Sequence, residues 1–255
     1  MKHTVKRNRT CLIIWVVGIL FMLASCEKDP ELGNYWIEPE NGEWLMDGNL
    51  IPSAVRDVDG NIYDAIRIGP QIWMQQNLRT THYPDSTPIE RLLLPGENEL
   101  SVEYGYLYDW NTAVHGEDSS TVIQGICPDG WHLPNWEEWE SLCSFLKSSS
   151  HCYYENNTES IAKLLASTSG WNFCNDNSLS PGQNQLQNNA TGFSAFPAGY
   201  YDGNYLVLGT SACFWSSTSE NPTKARTFSL ECCWSQPNSS AAPRTNGCSV
   251  RCIKN

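Results

Sequence analysis

The cysteines carry most of the chemistry this sequence could perform. The chain has 255 residues and 11 cysteines. Cys11 and Cys26 stand near the N-terminus. The rest are Cys127, Cys143, Cys152, Cys174, Cys213, Cys232, Cys233, Cys248 and Cys252. Thiols can form disulfides, ligate a metal or act as nucleophiles. Zinc is poorly served, because no CxxC pair occurs. Cys232 and Cys233 are neighbours, so on a strand they point to opposite faces and need different partners. The number downstream of Cys26 is odd, so at least one thiol stays single or pairs between molecules. Disulfides fit an exported chain, but their connectivity is open: eight cysteines alone allow on the order of a hundred pairings.

Other reactive patterns are weaker. Asp57-Val58-Asp59-Gly60-Asn61 has the look of a calcium loop. Such a loop needs a bidentate Glu at its twelfth position, and Ile68 stands there. The segment therefore reads as a hairpin turn. His82, His115, His132 and His151 show no HExxH spacing. His132, within Trp-His-Leu-Pro, reads as a hydrogen-bonder that supports the fold rather than as a base. No GxSxG, P-loop or dinucleotide fingerprint is present, and no cofactor is expected.

The N-terminus sets where this chemistry takes place. Lys2, Lys6, Arg7 and Arg9 precede the apolar run 11–23, CLIIWVVGILFML. That run is short for a bilayer span, which takes about 20 apolar residues. Leu23-Ala24-Ser25-Cys26 then resembles the bacterial lipobox. The expectation is a cleaved signal over 1–25, a lipidated Cys26 and a tether over 26–54. Two or more acyl chains anchor stably where one does not. The acidic stretch after Cys26 (Glu27-Lys28-Asp29-Pro30-Glu31) is similar to surface-export signals of Bacteroidota lipoproteins. Location at the outer membrane, surface-exposed rather than periplasmic, follows as an expectation. The net charge of −12 becomes −16 once the four signal cations leave with no acidic residue. Such a surface repels phosphate backbones and excludes nucleic acid as a partner. The membrane is reached through the lipid.

Elements that would position these groups begin near Val55. Ile62–Ile68 and Gln71–Met74 read as strands on either side of Gly69-Pro70. Aromatic alternation across Tyr104–Trp110 predicts another strand. Asn135, with Glu138 three residues on, makes a capping-box start. Trp139, Leu142, Cys143 and Leu146 follow on one helical face. A second helix is expected over Thr158–Ala166. Residues 172–192, rich in Asn, Gln, Ser and Gly, read as a polar surface loop. Short strands return at Ala212–Ser217, Ala225–Leu230 and Cys248–Ile253. The sum is an α+β domain with mostly antiparallel sheets.

Seven blocks in order complete the reading. They are DVDGNIYDAIRIGPQIWMQQNL (57–78), YGYLYDWNTAV (104–114), CPDGWHLPNWEEWESL (127–142), GW (170–171), TGFSAFPAGYYDG (191–203), FWSSTSE (214–220) and CSVRCIKN (248–255). Together they resemble the Fibrobacter succinogenes major paralogous domain family over 55–255. The resemblance implies a C-type lectin-like fold: antiparallel sheets flanked by two helices, with the N- and C-terminal strands together. It implies no established activity. It implies a Cys127–Cys252 disulfide; a Cys143–Cys252 bridge is the lectin-like alternative. Trp73, Trp110, Trp131, Trp139, Trp171 and Trp215 lie in family blocks and are expected in the core. Tyr200, Tyr201 and Tyr205, around Asp202-Gly203, are the candidate recognition residues. Gln236-Pro237-Asn238 is similar to the sugar- and calcium-binding triplets of C-type lectins, but no Trp-Asn-Asp comes after it, and it reads as a turn. The expected function is a non-enzymatic, lipid-anchored binding or adhesion module for a glycan or protein. The alternatives are a relative of formylglycine-generating oxidases, with Cys232-Cys233 as its copper pair, and a structural envelope or appendage subunit.

Overall fold

The Asp57 carboxylate organises the first turn. It accepts the Asn61 amide N–H at 2.8 Å, the Asn61 side-chain N–H at 2.8 Å and the Tyr63 hydroxyl at 2.6 Å. Strand β1 (Leu50–Arg56) thereby folds back on β2 (Ile62–Ile68), and β3 (Gln71–Met74) follows beyond Gly69-Pro70. The computed structural model describes residues 50–92, 100–117, 122–148, 153–154, 158–203 and 206–255. All belong to one compact unit, Gly33–Asn255. The expected signal, Cys26 and the expected tether as far as residue 49 lie outside the described residues, as do Cys152, His151 and Tyr205.

The remaining elements follow in order. The strand expected over Tyr104–Trp110 is realised only as β4 (Leu107–Tyr108), set between helices α1 (Leu100–Tyr104) and α2 (Trp110–Val114). Gly105 interrupts it at φ +75°, and a Cβ there would lie 2.5 Å from Asn77 Cβ, so only glycine fits. Asp109 then caps α2 by accepting the Thr112 N–H at 2.8 Å. Next come β5 (Trp131–His132) and the main helix α3 (Trp136–Ser148). The expected second helix is shorter: Thr158–Glu159 is strand β7, paired with β6 (Tyr153–Tyr154), and α4 spans Ile161–Leu165 behind the Ser160 cap. Strands β8 (Ser211–Asn221), β9 (Lys224–Glu231), β10 (Asn238–Pro243), β11 (Cys248–Ser249) and β12 (Ile253–Lys254) close the chain.

Two five-stranded sheets result, ordered β1-β2-β3-β12-β5 and β10-β9-β8-β11-β4. The β11–β8 pairing is parallel. The expected Cys248–Ile253 strand is split, because β11 joins one sheet and β12 the other. The architecture is α+β, strand-rich with few helices.

Period-two alternation distributes side chains between two cores. Tyr63, Ala65, Cys213, Trp215 and Cys252 enter the first. Ile66, Ile68, Ala212, Phe214 and Ile253 enter the second, from the same strands. Both sheets are therefore covered on both faces. All six tryptophans expected in the core are buried. Trp139 on α3 centres the second core, stacked on Phe228 at 4.4 Å and tilted against Trp73 at 4.6 Å.

Residues 172–192 are not a loose surface loop. Cys174, Ser180, Asn188, Ala190 and Thr191 are buried. Asn188 donates to the Ser167 and Pro181 carbonyls at 2.9 and 3.0 Å. Lys163, 1 % exposed, donates to the carbonyls of Ser180 (3.3 Å), Gln183 and Asn184 (3.4 Å). Burial lowers its pKa to about 8. The segment is polar yet partly internal because many of its polar groups find partners inside the protein, though Asn188 Oδ1 meets none among the described residues.

Candidate functional site

Helix α3 shows opposite characters on its two sides. Trp139, Leu142 and Leu146 face the core. Trp136, Glu140, Ser144 and Lys147, spaced four, four and three apart, line an open cleft of about 660 Å³. Its other wall is Gln236, Pro237, Asn238 and Ser239 at the start of β10. Trp139 and Phe228 also line it, so the aromatic core reaches the cleft. Volumes of this size hold small ligands.

The polar wall is fixed in place. The Trp136 indole N–H donates to Glu140 Oε1 at 2.7 Å, and its backbone N–H to Thr218 Oγ1 at 2.9 Å. The Arg226 guanidinium lies 5.2 Å from the Trp136 ring centroid and is steered by Glu220 Oε2 at 3.0 Å. Trp139 is fully buried, and its indole N–H has no hydrogen-bond acceptor among the described residues. The cleft thus offers aromatic surface, an acid, a base and amide groups on rigid elements. That set suits a ligand with apolar faces and hydroxyl edges.

The triplet Gln236-Pro237-Asn238 forms one lip of this cleft. The backbone bends at Ser235 and Gln236 and enters β10 at Asn238. The signal in the sequence for the other wall is the polar stripe at 136, 140, 144 and 147, opposite the apolar one.

The expected recognition residues lie elsewhere. Tyr200 is half-buried against the first core. The Tyr201 backbone N–H donates to Gly247 O at 2.9 Å, and its hydroxyl donates to Gly203 O at 2.8 Å. Both rings are therefore partly built into the fold. Asp202 is exposed. Tyr205 lies outside the described residues.

The cysteines resolve further. Cys127 and Cys252 are bridged, with Cα atoms 5.9 Å apart. This excludes the Cys143–Cys252 alternative. A second bridge joins Cys174 to Cys233. Cys233 is therefore bonded to Cys174 and not to Cys232. The two neighbours lie in the turn after Glu231 rather than on a strand, so the alternation expected of strand residues does not apply to them, and their sulfurs stand 3.7 Å apart.

The described histidines serve the fold. His132 Nε2 lies 2.8 Å from Glu138 Oε1, and Nδ1 lies 2.6 Å from Asn255 Oδ1. His82 Nδ1 meets Asp59 Oδ1 at 2.5 Å. Burial works against the Asp59 carboxylate, but hydrogen bonds from Thr81, Thr80 and His82 lower its pKa to about 2. His115 stacks on Tyr83 at 3.7 Å. Among the described residues, no group of three His, Cys, Asp or Glu side chains is placed to hold a metal.

Comparison with known proteins agrees with the sequence blocks. The model of the Fibrobacter succinogenes major domain matches residues 66–254. The chain therefore belongs to that family. No curated protein and no solved structure matches it.

Proposed function

We propose that this member of the Fibrobacter succinogenes major domain family is a non-enzymatic binding module with a C-type lectin-like fold, and that the cleft between α3 and the start of β10 receives a glycan. The observation that carries the reading is the pairing of Trp136 and Glu140 on one wall with Gln236 and Asn238 on the other. A sugar ring has apolar C–H faces and a belt of hydroxyls. Aromatic rings take the first, and amides and carboxylates take the second. The placement of one wall on helix α3 and the other at the start of β10 supports it, since both are regular elements of the fold.

The module sits on the outer membrane, facing outward, held by acyl chains on Cys26 through a tether that is shorter than the expected 26–54, because β1 already begins at Leu50. The N-terminal sequence supports that placement.

The full-length protein, extracted in detergent, is tested on a glycan array beside a Trp136→Ala variant. Retention of a defined glycan set by the parent alone supports the site. Equal retention by both proteins, or none by either, sinks it. Labelling with an alkyne fatty acid, lost in Cys26→Ser, tests the anchor. Protease shaving of intact cells tests the face.

A further inference from the structure

We infer that Cys213 and Cys248 are a third disulfide site, which fastens β8 to β11 beneath the segment carrying Tyr200 and Tyr201. The two Sγ atoms stand 3.1 Å apart, inside the contact distance of non-bonded sulfurs. Cys232 and Cys233, by comparison, keep their sulfurs 3.7 Å apart. The register explains the approach. Ser249 pairs with Phe214 across the parallel β11–β8 contact, which sets Cys248 beside Cys213 on the same side. Both side chains belong to the first core, at 6 % and 1 % exposure. Among the described residues, no ion pair or hydrogen bond from a charged group reaches either sulfur to make the pair a reactive site. A bridge is the chemistry that suits two buried thiols in contact.

Both cysteines adjoin the strands that grip residues 199–201. Gly199 bridges to Ala212, next to Cys213. Tyr201 bridges to Gly247, next to Cys248. The disulfide would therefore lock the two rails between which this segment runs. In forming it, both S–H bonds break and one S–S bond forms. The two electrons and two protons pass to the disulfide of a thiol–disulfide oxidoreductase or of a small-molecule disulfide, which leaves as two thiols. Burial, together with the neighbouring Cys213 thiol, raises the Cys248 pKa well above the ordinary thiol value. The thiolate that must attack is thus scarce in the finished fold. The bridge forms while the chain is still closing, and it resists reductant afterwards.

The test uses the full-length protein, with free thiols alkylated at lysis before extraction. Non-reducing peptide mapping is expected to yield a linked pair carrying Cys213 and Cys248. Recovery of both residues alkylated, or of either one linked to another cysteine, overturns the proposal. A Cys232→Ser variant mapped in parallel must give the same linked pair; its disappearance also counts against the site. In a Cys213→Ala, Cys248→Ala variant, limited proteolysis within 199–203 is expected to be at least about tenfold faster, and an unchanged rate overturns the locking role. Because this readout involves no ligand, its failure leaves the glycan cleft unaffected, and the converse holds.

Discussion

His132 and Glu138 form a bridge between β5 and the first turn of α3, with Nε2 and Oε1 2.8 Å apart. The other Glu138 oxygen accepts the Asn135 backbone N–H at 2.8 Å, and Asn135 Oδ1 accepts the Glu138 N–H at 3.0 Å. The capping box read from the sequence is therefore also an anchor. Through His132 it ties the helix to Asn255, whose Oδ1 meets the other ring nitrogen.

This contact makes stability depend on pH. Burial alone would push the His132 pKa down, but hydrogen bonds to Glu138 and Asn255 win and raise it. A pKa raised in the folded state means that folding favours the protonated ring. The stabilisation is fully present below the ordinary histidine value of about 6.5 and is lost as pH rises through the higher folded value. Melting curves of the parent and His132→Gln are expected to differ most near pH 6 (roughly the unperturbed value) and to converge in mildly alkaline buffer. A gap that widens with pH contradicts this account.

Arg251 is the second test. It is fully buried and donates to Asn77 Oδ1 and to the carbonyls of Phe193 and Ser194, with the Phe193 ring 4.4 Å from the guanidinium. Burial lowers its pKa to about 9. Arg251→Met keeps the volume but strands three oxygens. Each buried acceptor left without a donor costs about 1–3 kcal/mol, so a total loss near 3 kcal/mol or more is expected in urea unfolding. A loss below about 1 kcal/mol would falsify the claim that Arg251 satisfies these three oxygens in the folded protein.

The Cys127–Cys252 bridge closes a separation of 125 residues. In the chain-entropy model a loop of that size is worth about 5 kcal/mol. Replacing both cysteines by alanine is expected to lower denaturant stability by several kcal/mol, on the order of that figure. Removing Cys174 and Cys233, which are 59 residues apart, should cost less by a few tenths of a kcal/mol in the same model.

The cleft separates binding from stability. Trp136 is half-buried at the rim and Gln236 stands opposite. Trp136→Ala and Gln236→Ala are each expected to weaken glycan retention at least about tenfold, or 1.4 kcal/mol, with a far-UV spectrum like the parent's. Trp139→Ala is expected to destabilise the protein outright, by about 3–5 kcal/mol, because its ring fills the second core.

Local signals were legible where a single residue decided the geometry. Asp57 set the first turn and Asn135 the start of α3. The strands read at Ala212–Ser217 and Ala225–Leu230 are β8 and β9, though β8 runs four residues further, to Asn221. Tyr104–Trp110 was read too long: aromatic alternation did not show that Gly105 and the Asp109 cap leave only Leu107–Tyr108 as strand. Residues 172–192 misled because composition records polarity but not whether a carbonyl such as Gln183 O has a buried lysine to meet it. The cleft was half legible. The polar stripe of α3 is in the sequence, but its partner at 236–239 lies about a hundred residues away and comes alongside only through β9 and β10. Such long-range contacts leave no mark in local pattern.

The splitting of the C-terminal segment has a consequence for synthesis. Residues 248–254 supply β11 to one sheet and β12 to the other, and β4 and β5 are hydrogen-bonded into their sheets only through them. A nascent chain made from the N-terminus has neither sheet complete until these residues emerge. Cys127 waits until then for Cys252. A chain lacking residues 248–254 would have two open sheets, and Cys127 and Cys213 would both lack the cysteines they face.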